Sequence, residues 1–270
     1  MQSHFKFLFF LILVTGAHVY GADSTRINRN FSIKYLGIES GLSNNAVTSI
    51  YQDERGFMWI GTYDGLNRYN GNDFQVFRNF PRDSSTLVNN RIVSIYGREN
   101  EVWVGTKRGL SVYNVLTGQF ESRFLKGNFG NSEKIKYDIN KIGGNSTEIW
   151  LATAGRGLLE EDAAGSFRQI PIKSENTFLY DFHAKSFDLD SKGNIWCFVQ
   201  GIGIVRKNRE SKELELQSSL ILSANAAIID EQGEAPVYHC SKRCSRYTFQ
   251  LANEPYQSPS ILEASRFVAL

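Results

Sequence analysis

Short segments in which apolar and polar residues alternate recur along the chain, and turns rich in glycine, asparagine and aspartate separate them. Alternation with a period of two places successive side chains on opposite faces of a β-strand. The clearest set predicts four strands, at residues 47–53, 57–62, 66–69 and 73–79. Four short strands joined by tight turns in this order predict one antiparallel sheet.

The same plan returns three more times. The second, third and fourth sets predict strands at residues 91–96, 101–106, 109–113 and 118–124, then 138–142, 148–153, 157–159 and 165–170, then 184–190, 194–199, 203–206 and 212–217. All four tryptophans stand in the second strand of a set, at intervals of 44, 47 and 46 residues: Trp59, Trp103, Trp150 and Trp196. A period of about 40–50 residues is typical of a repeat architecture. The sequence therefore predicts an all-β fold, a partial β-propeller of four-stranded antiparallel blades, in which each tryptophan packs against the next blade.

A fifth set begins and then breaks. Residues 224–233 repeat the strand and turn that precede Trp196, and Gly233 predicts a fifth tryptophan at position 236, where Pro236 stands instead. Proline lacks the N–H donor that a central strand needs. We therefore expect blades over residues 23–234 and a tail without blade pattern over 235–270, for which disorder is one expectation. Our hypothesis is a shift of reading frame near residue 234, and the alternative is a divergent tail.

The first 22 residues have the pattern of a secretory signal peptide. Lys6 precedes the continuously apolar run 7–14, and small residues follow up to Gly21 and Ala22. This order predicts cleavage after one of those two residues and a periplasmic or secreted product. An uncleaved anchor is the other interpretation, but the apolar run is short for a bilayer. No second run of spanning length follows, so no membrane span is predicted.

The composition agrees with this fold and argues against some classes of function, but it identifies no function by itself. Aromatic residues make up 13% of the chain, with 23 glycines and 5 prolines, which favours many short strands. A formal charge of +2 without a long basic run argues against nucleic-acid binding. The four histidines are isolated, and Cys197, Cys240 and Cys244 lack the spacing of a zinc site. We predict no cofactor and no metal.

The first set carries a specific string of residues: Gly-Leu-Ser-Asn-Asn-Ala-Val at 41–47, then Asp53-x-x-Gly56-x-x-Trp59-Ile-Gly-Thr62, then Asp64-Gly-Leu-Asn-Arg-Tyr69. This string resembles the two-component regulator propeller repeat. The resemblance extends over about residues 32–234 and weakens in the later repeats, where Ala152 replaces the glycine and Cys197-Phe198 replaces the Ile-Gly pair.

The resemblance implies a function. Such repeats build the periplasmic sensor region of hybrid histidine kinases, which typically detect oligosaccharides and activate genes for glycan use. This chain resembles the N-terminal, truncated part of such a sensor, with an oligosaccharide as ligand and with the remaining propeller blades and kinase region of the parent as partners, or a homodimer. Nothing in it resembles a kinase, so no enzyme activity is expected of it. Two alternatives stay open: an exported propeller enzyme acting on glycans, and a protein-interaction scaffold.

The ligand surface is predicted from topology. Loops between second and third strands open on the same face of a propeller as the segments that lead into first strands. The candidate ligand-binding residues on these loops are Asn44, Asn45, Tyr63, Asp64, Asn90, Arg91, Lys107, Arg108, Arg156 and Gln200. They combine an aromatic ring, amides and charges, which suits a polyhydroxylated ligand. The alternative is ordinary hydrated turn surface.

Two acidic features of the sequence bear on catalysis. Asp53 and Gly56, like Asp190 and Gly193, have nearly the spacing of a sialidase-type Asp box. Residues 160–162 form an acidic cluster, for which we predict a hydrated turn between outer strands. Glycoside cleavage needs two carboxylates at a defined separation in one pocket, and no such pair is evident. Neither feature predicts a catalytic residue.

Overall fold

A computed structural model describes residues 33–127 and 131–218, together with the backbone of two further strands at 224–229 and 236–240. The chain divides into two units, Met1–Tyr35 and Leu36–Leu270. Of the first unit, residues 33–35 are described, and they are exposed and without regular secondary structure. The signal peptide predicted over residues 1–22 and the tail from residue 241 onward lie outside the described residues.

The first two blades each have the predicted four strands. A short 3-10 helix, Ile38–Ser40, precedes them. Blade 1 consists of β1 (Val47–Gln52), β2 (Met58–Thr62), β3 (Gly65–Tyr69) and β4 (Phe74–Phe77), and blade 2 of β5 (Ile92–Arg98), β6 (Glu101–Thr106), β7 (Gly109–Asn114) and β8 (Gln119–Glu121). In both sheets the strands lie in chain order and pair antiparallel.

Blades 3 and 4 are wider than the sequence predicts. Before each of them the chain forms a short hairpin, β9–β10 and β15–β16, which joins the outer edge of the blade that follows. The strands are β9 (Phe124–Lys126), β10 (Ser132–Lys134), β11 (Ile139–Gly144), β12 (Ile149–Thr153), β13 (Leu158–Glu161), β14 (Phe167–Ile170), β15 (Ile172–Ser174), β16 (Thr177–Leu179), β17 (Ala184–Leu189), β18 (Ile195–Val199), β19 (Gly203–Lys207) and β20 (Leu214–Ser218). Strand β9 pairs parallel with β14, and β15 with β20, so each sheet has six strands. The hairpins thereby occupy the backbone groups of two outer edges that would otherwise be free to pair with another chain.

The fifth set continues for one strand more than the sequence predicts. Strands β21 (Ala224–Ile229) and β22 (Pro236–Cys240) pair antiparallel, and we call this hairpin blade 5. Pro236 is the first residue of β22, a position where a proline is tolerated. Ile229 pairs with Pro236 as Gln52 pairs with Met58 in blade 1. The tryptophan position is therefore held by Val237 rather than by Pro236.

The blades stack through their innermost strands. Strand β5 contacts β1 and β11, and β17 contacts β11 and β21. Serine hydroxyls join neighbouring inner strands: the N–H of Ile95 donates to Ser49 Oγ at 3.1 Å, and that of Ile142 donates to Ser94 Oγ at 3.0 Å. Three apolar clusters fill the spaces between blades 1 and 2, blades 2 and 3, and blades 3 and 4.

All four tryptophans are buried in the core, as predicted. Each indole N–H donates to a carboxylate. Trp59 and Trp196 donate to Asp53 and Asp190, at 2.8 and 3.0 Å. The other carboxylate oxygen of each aspartate accepts two backbone N–H groups of its own turn. These two aspartates therefore fix the turn and orient the tryptophan, which is a structural role.

The second and third repeats lack this turn aspartate, and their tryptophans donate to glutamates instead. Trp103 donates to Glu101 at 3.1 Å, and Trp150 donates to Glu160 at 3.2 Å. Because a buried donor needs a partner, the repeat keeps a carboxylate near each indole even where its sequence diverges.

In blades 1 and 2 the residue two positions after the tryptophan is glycine, because the next blade leaves no room there for a side chain. A Cβ atom at Gly61 would lie 2.5 Å from Ile92, the first residue of β5. In blade 3 the glycine is replaced by Ala152, and the next inner strand then begins with the smaller Ala184. Both alanines are buried in the same cluster. The third repeat thus departs from the family pattern at a contact where both residues have changed: the glycine has become a larger alanine, and the facing isoleucine has become a smaller alanine.

One face of blade 1 is uncovered. Ile50 in β1 and Ile95 in β5 hold the same register position, opposite Ile60 and Val104 respectively. Ile95 packs against blade 1 and is 9% exposed, whereas Ile50 is 60% exposed. The two positions differ because blade 2 has a neighbour on that side and blade 1 has none among the described residues.

Candidate ligand-binding site

The predicted loops of blades 1 and 2 meet at one edge of the sheets. The β2–β3 turn carries Tyr63 and Asp64, and the segment before β5 carries Asn90 and Arg91. The Arg91 guanidinium lies 4.6 Å from the centre of the Tyr63 ring. Asp64 accepts a hydrogen bond from Asn90 at 3.3 Å and forms an ion pair with Arg78 at 3.1 Å. Four of the candidate residues therefore form one contiguous group.

The same arrangement recurs one blade later. Lys107, in the β6–β7 turn, forms an ion pair of 3.1 Å with Asp138, directly before β11. Its neighbour Arg108 is exposed, and its backbone N–H donates to Thr106 Oγ1. Sequence reasoning missed Asp138, although its place before an inner strand matches that of Arg91.

In blade 3 the equivalent position is Arg156. Its guanidinium lies 5.1 Å from the centre of the Tyr137 ring and forms an ion pair of 3.1 Å with Asp181, which stands before β17. The Tyr137 hydroxyl donates to Glu133 at 2.5 Å. Burial, followed by this hydrogen bond, raises the pKa of Tyr137, so the hydroxyl keeps its proton at neutral pH. Tyr137 and Asp181 were also missed.

The remaining three candidates have local roles or stand apart. Asn44 accepts the N–H of Ala46 at 2.7 Å, and Asn45 accepts that of Ile38 at 3.0 Å, so both amides hold the loop before β1. Gln200 is exposed beyond β18. The charges of Asp64, Lys107 and Arg156 are all matched within the protein, whereas the Tyr63 ring is 51% exposed.

The acidic cluster at 160–162 is not a hydrated turn, so that prediction is wrong for its first two residues. Glu160 and Glu161 belong to β13, and successive strand residues face opposite ways. Glu160 is buried and pairs with Lys207 of blade 4 at 3.2 Å and with Arg168. Glu161 pairs with Arg98 of blade 2 at 2.5 Å. The two glutamates therefore join blade 3 to both of its neighbours.

Asp162 does stand in a turn. It accepts the backbone N–H groups of Ala164 and Ser166 and pairs with Lys126 of β9 at 2.5 Å. The hydrogen bond from Lys126 lowers the pKa of Asp162. All three acids are thus committed to ion pairs.

A cavity of about 270 Å³ lies beside blade 2, between the two connections that flank it. The connection from blade 1 supplies one wall, from residues between 79 and 88. Residues 121–123 and 134–136, beside β9 and at the end of β10, supply the other, and Leu110 and Ser111 of β7 form the floor. We call it the blade 2 cleft. Sequence reasoning missed it because its walls come from connections, which lack the blade pattern.

The described residues contain no cluster of three or more histidine, cysteine or acidic side chains placed to hold a metal. Cys197 is buried, and burial raises the pKa of its thiol to about 12, so it stays protonated and shielded. In the described part of the chain, no helix has the length and apolar character to cross a membrane.

The loop before β1 and the Asp53–Trp59 turn lie within the segment that matches a known family. The model for the two component regulator propeller matches residues 41–64. The chain carries a two-component regulator propeller repeat.

Part of the chain is also similar to a named kinase. Histidine kinase P4 of Formosa agariphila is 43% identical over 60 residues, which are 22% of this chain and 4% of the kinase.

Two solved structures have the same fold. The extracellular domain of a protein named a hybrid two component system of B. thetaiotaomicron aligns with a TM-score of 0.64 and 24% identity, covering 81% of this chain and 30% of that one. A second such domain from the same organism aligns with a TM-score of 0.61 and 19% identity, covering 84% and 34%. The chain thus spans about a third of the length of these solved domains. The chain is a partial β-propeller with the fold of these extracellular domains.

Proposed function

We propose that this chain is the periplasmic, ligand-sensing propeller of a hybrid two-component sensor and that its ligand is an oligosaccharide derived from a glycan. The observation that carries the proposal is the propeller repeat at residues 41–64 within a fold shared with extracellular domains of hybrid systems. The signal-peptide pattern at residues 1–22 agrees with export.

The ligand surface in this proposal is the row of loops at which neighbouring blades meet. In that row, charged side chains are held by partners, as Lys107 is by Asp138 and Arg156 by Asp181. Side chains held in this way lose little freedom on binding, which favours affinity. The exposed Tyr63 ring, with Arg91 beside it, offers a flat surface on which a sugar ring stacks.

The remaining blades of a longer sensor are the proposed partners of blade 1. In blade 2 the positions of Ile95, Val102 and Val104 are covered by the preceding blade. The equivalent positions in blade 1 are Ile50, Met58 and Ile60, and all three are partly or fully accessible. A further blade with a tryptophan face would cover them. Ligand binding would then bias the arrangement of such blades and transmit the bias to a kinase region.

The glycan enzyme is the less favoured alternative. The acids of the 160–162 cluster are held in ion pairs between blades or at the β9 hairpin, and Asp53 and Asp190 hold tryptophans. A general acid for glycoside cleavage must be free to protonate the leaving oxygen, whereas these carboxylates are engaged by cations, backbone N–H groups or indoles. These contacts support binding rather than catalysis as the proposed role.

Isothermal titration calorimetry of the exported chain with a panel of neutral and charged oligosaccharides tests the proposal. We expect one saccharide to bind and Tyr63→Ala to weaken its affinity, whereas Phe178→Ala, which removes another exposed ring outside the predicted loops, leaves affinity unchanged. Product chromatography of the same mixtures would reveal cleavage, which supports the enzyme instead. If no saccharide binds and another protein co-purifies with the chain in a stoichiometric amount, the sensing function would be overturned in favour of a protein-interaction scaffold.

A further inference from the structure

The blade 2 cleft has an excess of positive charge that the protein does not neutralise. Its walls carry four cations and two acids: Arg82, Arg123, Lys134, Lys136, Asp83 and Glu121. Arg123 is paired with Glu121 at 2.8 Å and with Glu101 at 2.5 Å. Asp83 accepts the N–H and the hydroxyl of Ser85 at 2.9 and 2.6 Å. Both acids are therefore engaged.

The other three cations are available. Arg82, Lys134 and Lys136 are exposed, and within the described residues none of them has an ion-pair partner. Cations that converge on a concave surface without internal partners raise the local concentration of anions. The cleft thus favours a negatively charged ligand.

The cleft also has a surface for a ring. Phe80 is 63% exposed on the wall formed by residues 79–88, and its backbone N–H is held by Thr86 Oγ1 at 3.1 Å. The hydroxyl-bearing residues Ser84, Thr86 and Ser122 line the same space. An exposed aromatic ring surrounded by hydroxyls and cations suits a sugar ring that bears an acidic group better than it suits a small inorganic anion.

Arg82 is held in a strained backbone conformation. Residues 80–83 form a turn in which the N–H of Asp83 donates to the carbonyl of Phe80 at 3.1 Å. Pro81 and a positive φ of 77° at Arg82 are typical of a type II turn, whose third position favours glycine. An arginine at this position costs folding free energy, and such strain concentrates at functional positions.

We propose that the blade 2 cleft binds the acidic group of a charged saccharide, a carboxylate or a sulfate, through Arg82, Lys134 and Lys136, with Phe80 beneath the ring. This inference rests on the proposed sensing function and adds the ligand class and a second place of contact.

The test uses Arg82→Gly and Glu99→Gly in the full chain. Both residues have positive φ, 77° and 52°, but Glu99 does not line the cleft. We expect both variants to melt at a higher temperature, because glycine relieves the strain. Only Arg82→Gly should lose affinity, by about tenfold, for the charged saccharide. Phe80→Ala should weaken binding similarly without relief of strain.

The calorimetric probes are a tetramer of galacturonic acid, a sulfated galactose tetramer and neutral galactotetraose. The proposal is supported if one charged tetramer binds more tightly than the neutral one and if added salt weakens its binding. Which charged tetramer binds then identifies the anionic group as carboxylate or sulfate. Equal affinity for all three, or undiminished binding by Arg82→Gly, would overturn the inference. If the neutral tetramer binds, and Tyr63→Ala abolishes this binding while Arg82→Gly leaves it unchanged, the sensing function stands and only the proposal about the cleft is refuted.

Discussion

Gly105 of β6 lies against Ile139 of β11, so closely that a Cβ atom at Gly105 would stand 2.7 Å from the isoleucine Cγ2. The contact joins the second strand of blade 2 to the inner strand of blade 3. In the first two repeats this glycine is therefore required by packing rather than by a turn, because the same contact recurs between Gly61 and Ile92.

Gly105→Ala should therefore lower the free energy of unfolding by about 1–3 kcal/mol, because the added methyl overpacks the contact. Ile139→Ala alone should cost about 2–5 kcal/mol through the cavity it leaves. The double variant should cost less than the two single variants together, because each change makes room for the other. Urea denaturation of the four proteins measures the coupling, and strictly additive costs would contradict this account.

The buried pair of Glu160 and Lys207 should be sensitive to the loss of one partner. Lys207→Met leaves Glu160 buried with less compensation, and we expect a loss of about 3–5 kcal/mol. Adding Glu160→Gln should recover part of this loss. Lys173→Met, at the exposed pair with Glu213, is the matched control and should change stability by less than about 1 kcal/mol. Equal effects at both lysines would refute the special role of the buried pair.

Asp190 should contribute to stability in a pH-dependent way. Burial opposes its charge, but hydrogen bonds from Trp196 and Asn194 outweigh burial and lower the pKa of Asp190. A lowered folded-state pKa gives stability that is present above the ordinary pKa of about 4 and is lost as pH falls through the folded value.

Asp190→Asn should therefore destabilise the protein at pH 7. It should also reduce the loss of stability that accompanies a fall in pH below about 4. Asp73→Asn removes an exposed carboxylate and serves as the control. Urea midpoints recorded from pH 7 to pH 2.5 make the comparison. Parallel curves for the parent chain and Asp190→Asn would exclude the assignment.

The uncovered face of blade 1 predicts opposite outcomes at two equivalent positions. Ile50→Lys places a charge on an accessible surface and should change stability by less than about 0.5 kcal/mol. Ile95→Lys buries the same charge between blades and should cost several kcal/mol, about 3 or more. Sedimentation velocity should also show less self-association for Ile50→Lys. A large loss of stability at Ile50 would mean that this face is covered.

The sequence could predict the blades because their pattern is local. Alternation and turn residues locate nearly every blade strand, and the tryptophan interval identifies the repeat. The hairpins β9–β10 and β15–β16 escape prediction because strands of three residues are too short to show a period. Their pairing partners, β14 and β20, lie tens of residues further along the chain.

Local sequence patterns could not predict which charged side chains are buried. Whether Glu160 is solvated depends on Lys207, and whether Glu161 is solvated depends on Arg98, and neither cation is near in sequence. The register of β22 gives a third example. Counting from Gly233 predicts the tryptophan position at Pro236, but the pairing of Ile228 with Val237 moves it by one residue.

Each blade has two unlike surfaces, one that carries the tryptophan and one that receives the tryptophan of its neighbour. On blade 1 no described residue covers the second surface. A stack of such units has polarity, so blades can be added only head to tail. Duplication of one blade-coding segment would therefore create a junction that is already complementary. Changes of blade number are then accessible to evolution in single steps, with compensating substitutions such as Ala152 and Ala184 adjusting each junction afterwards.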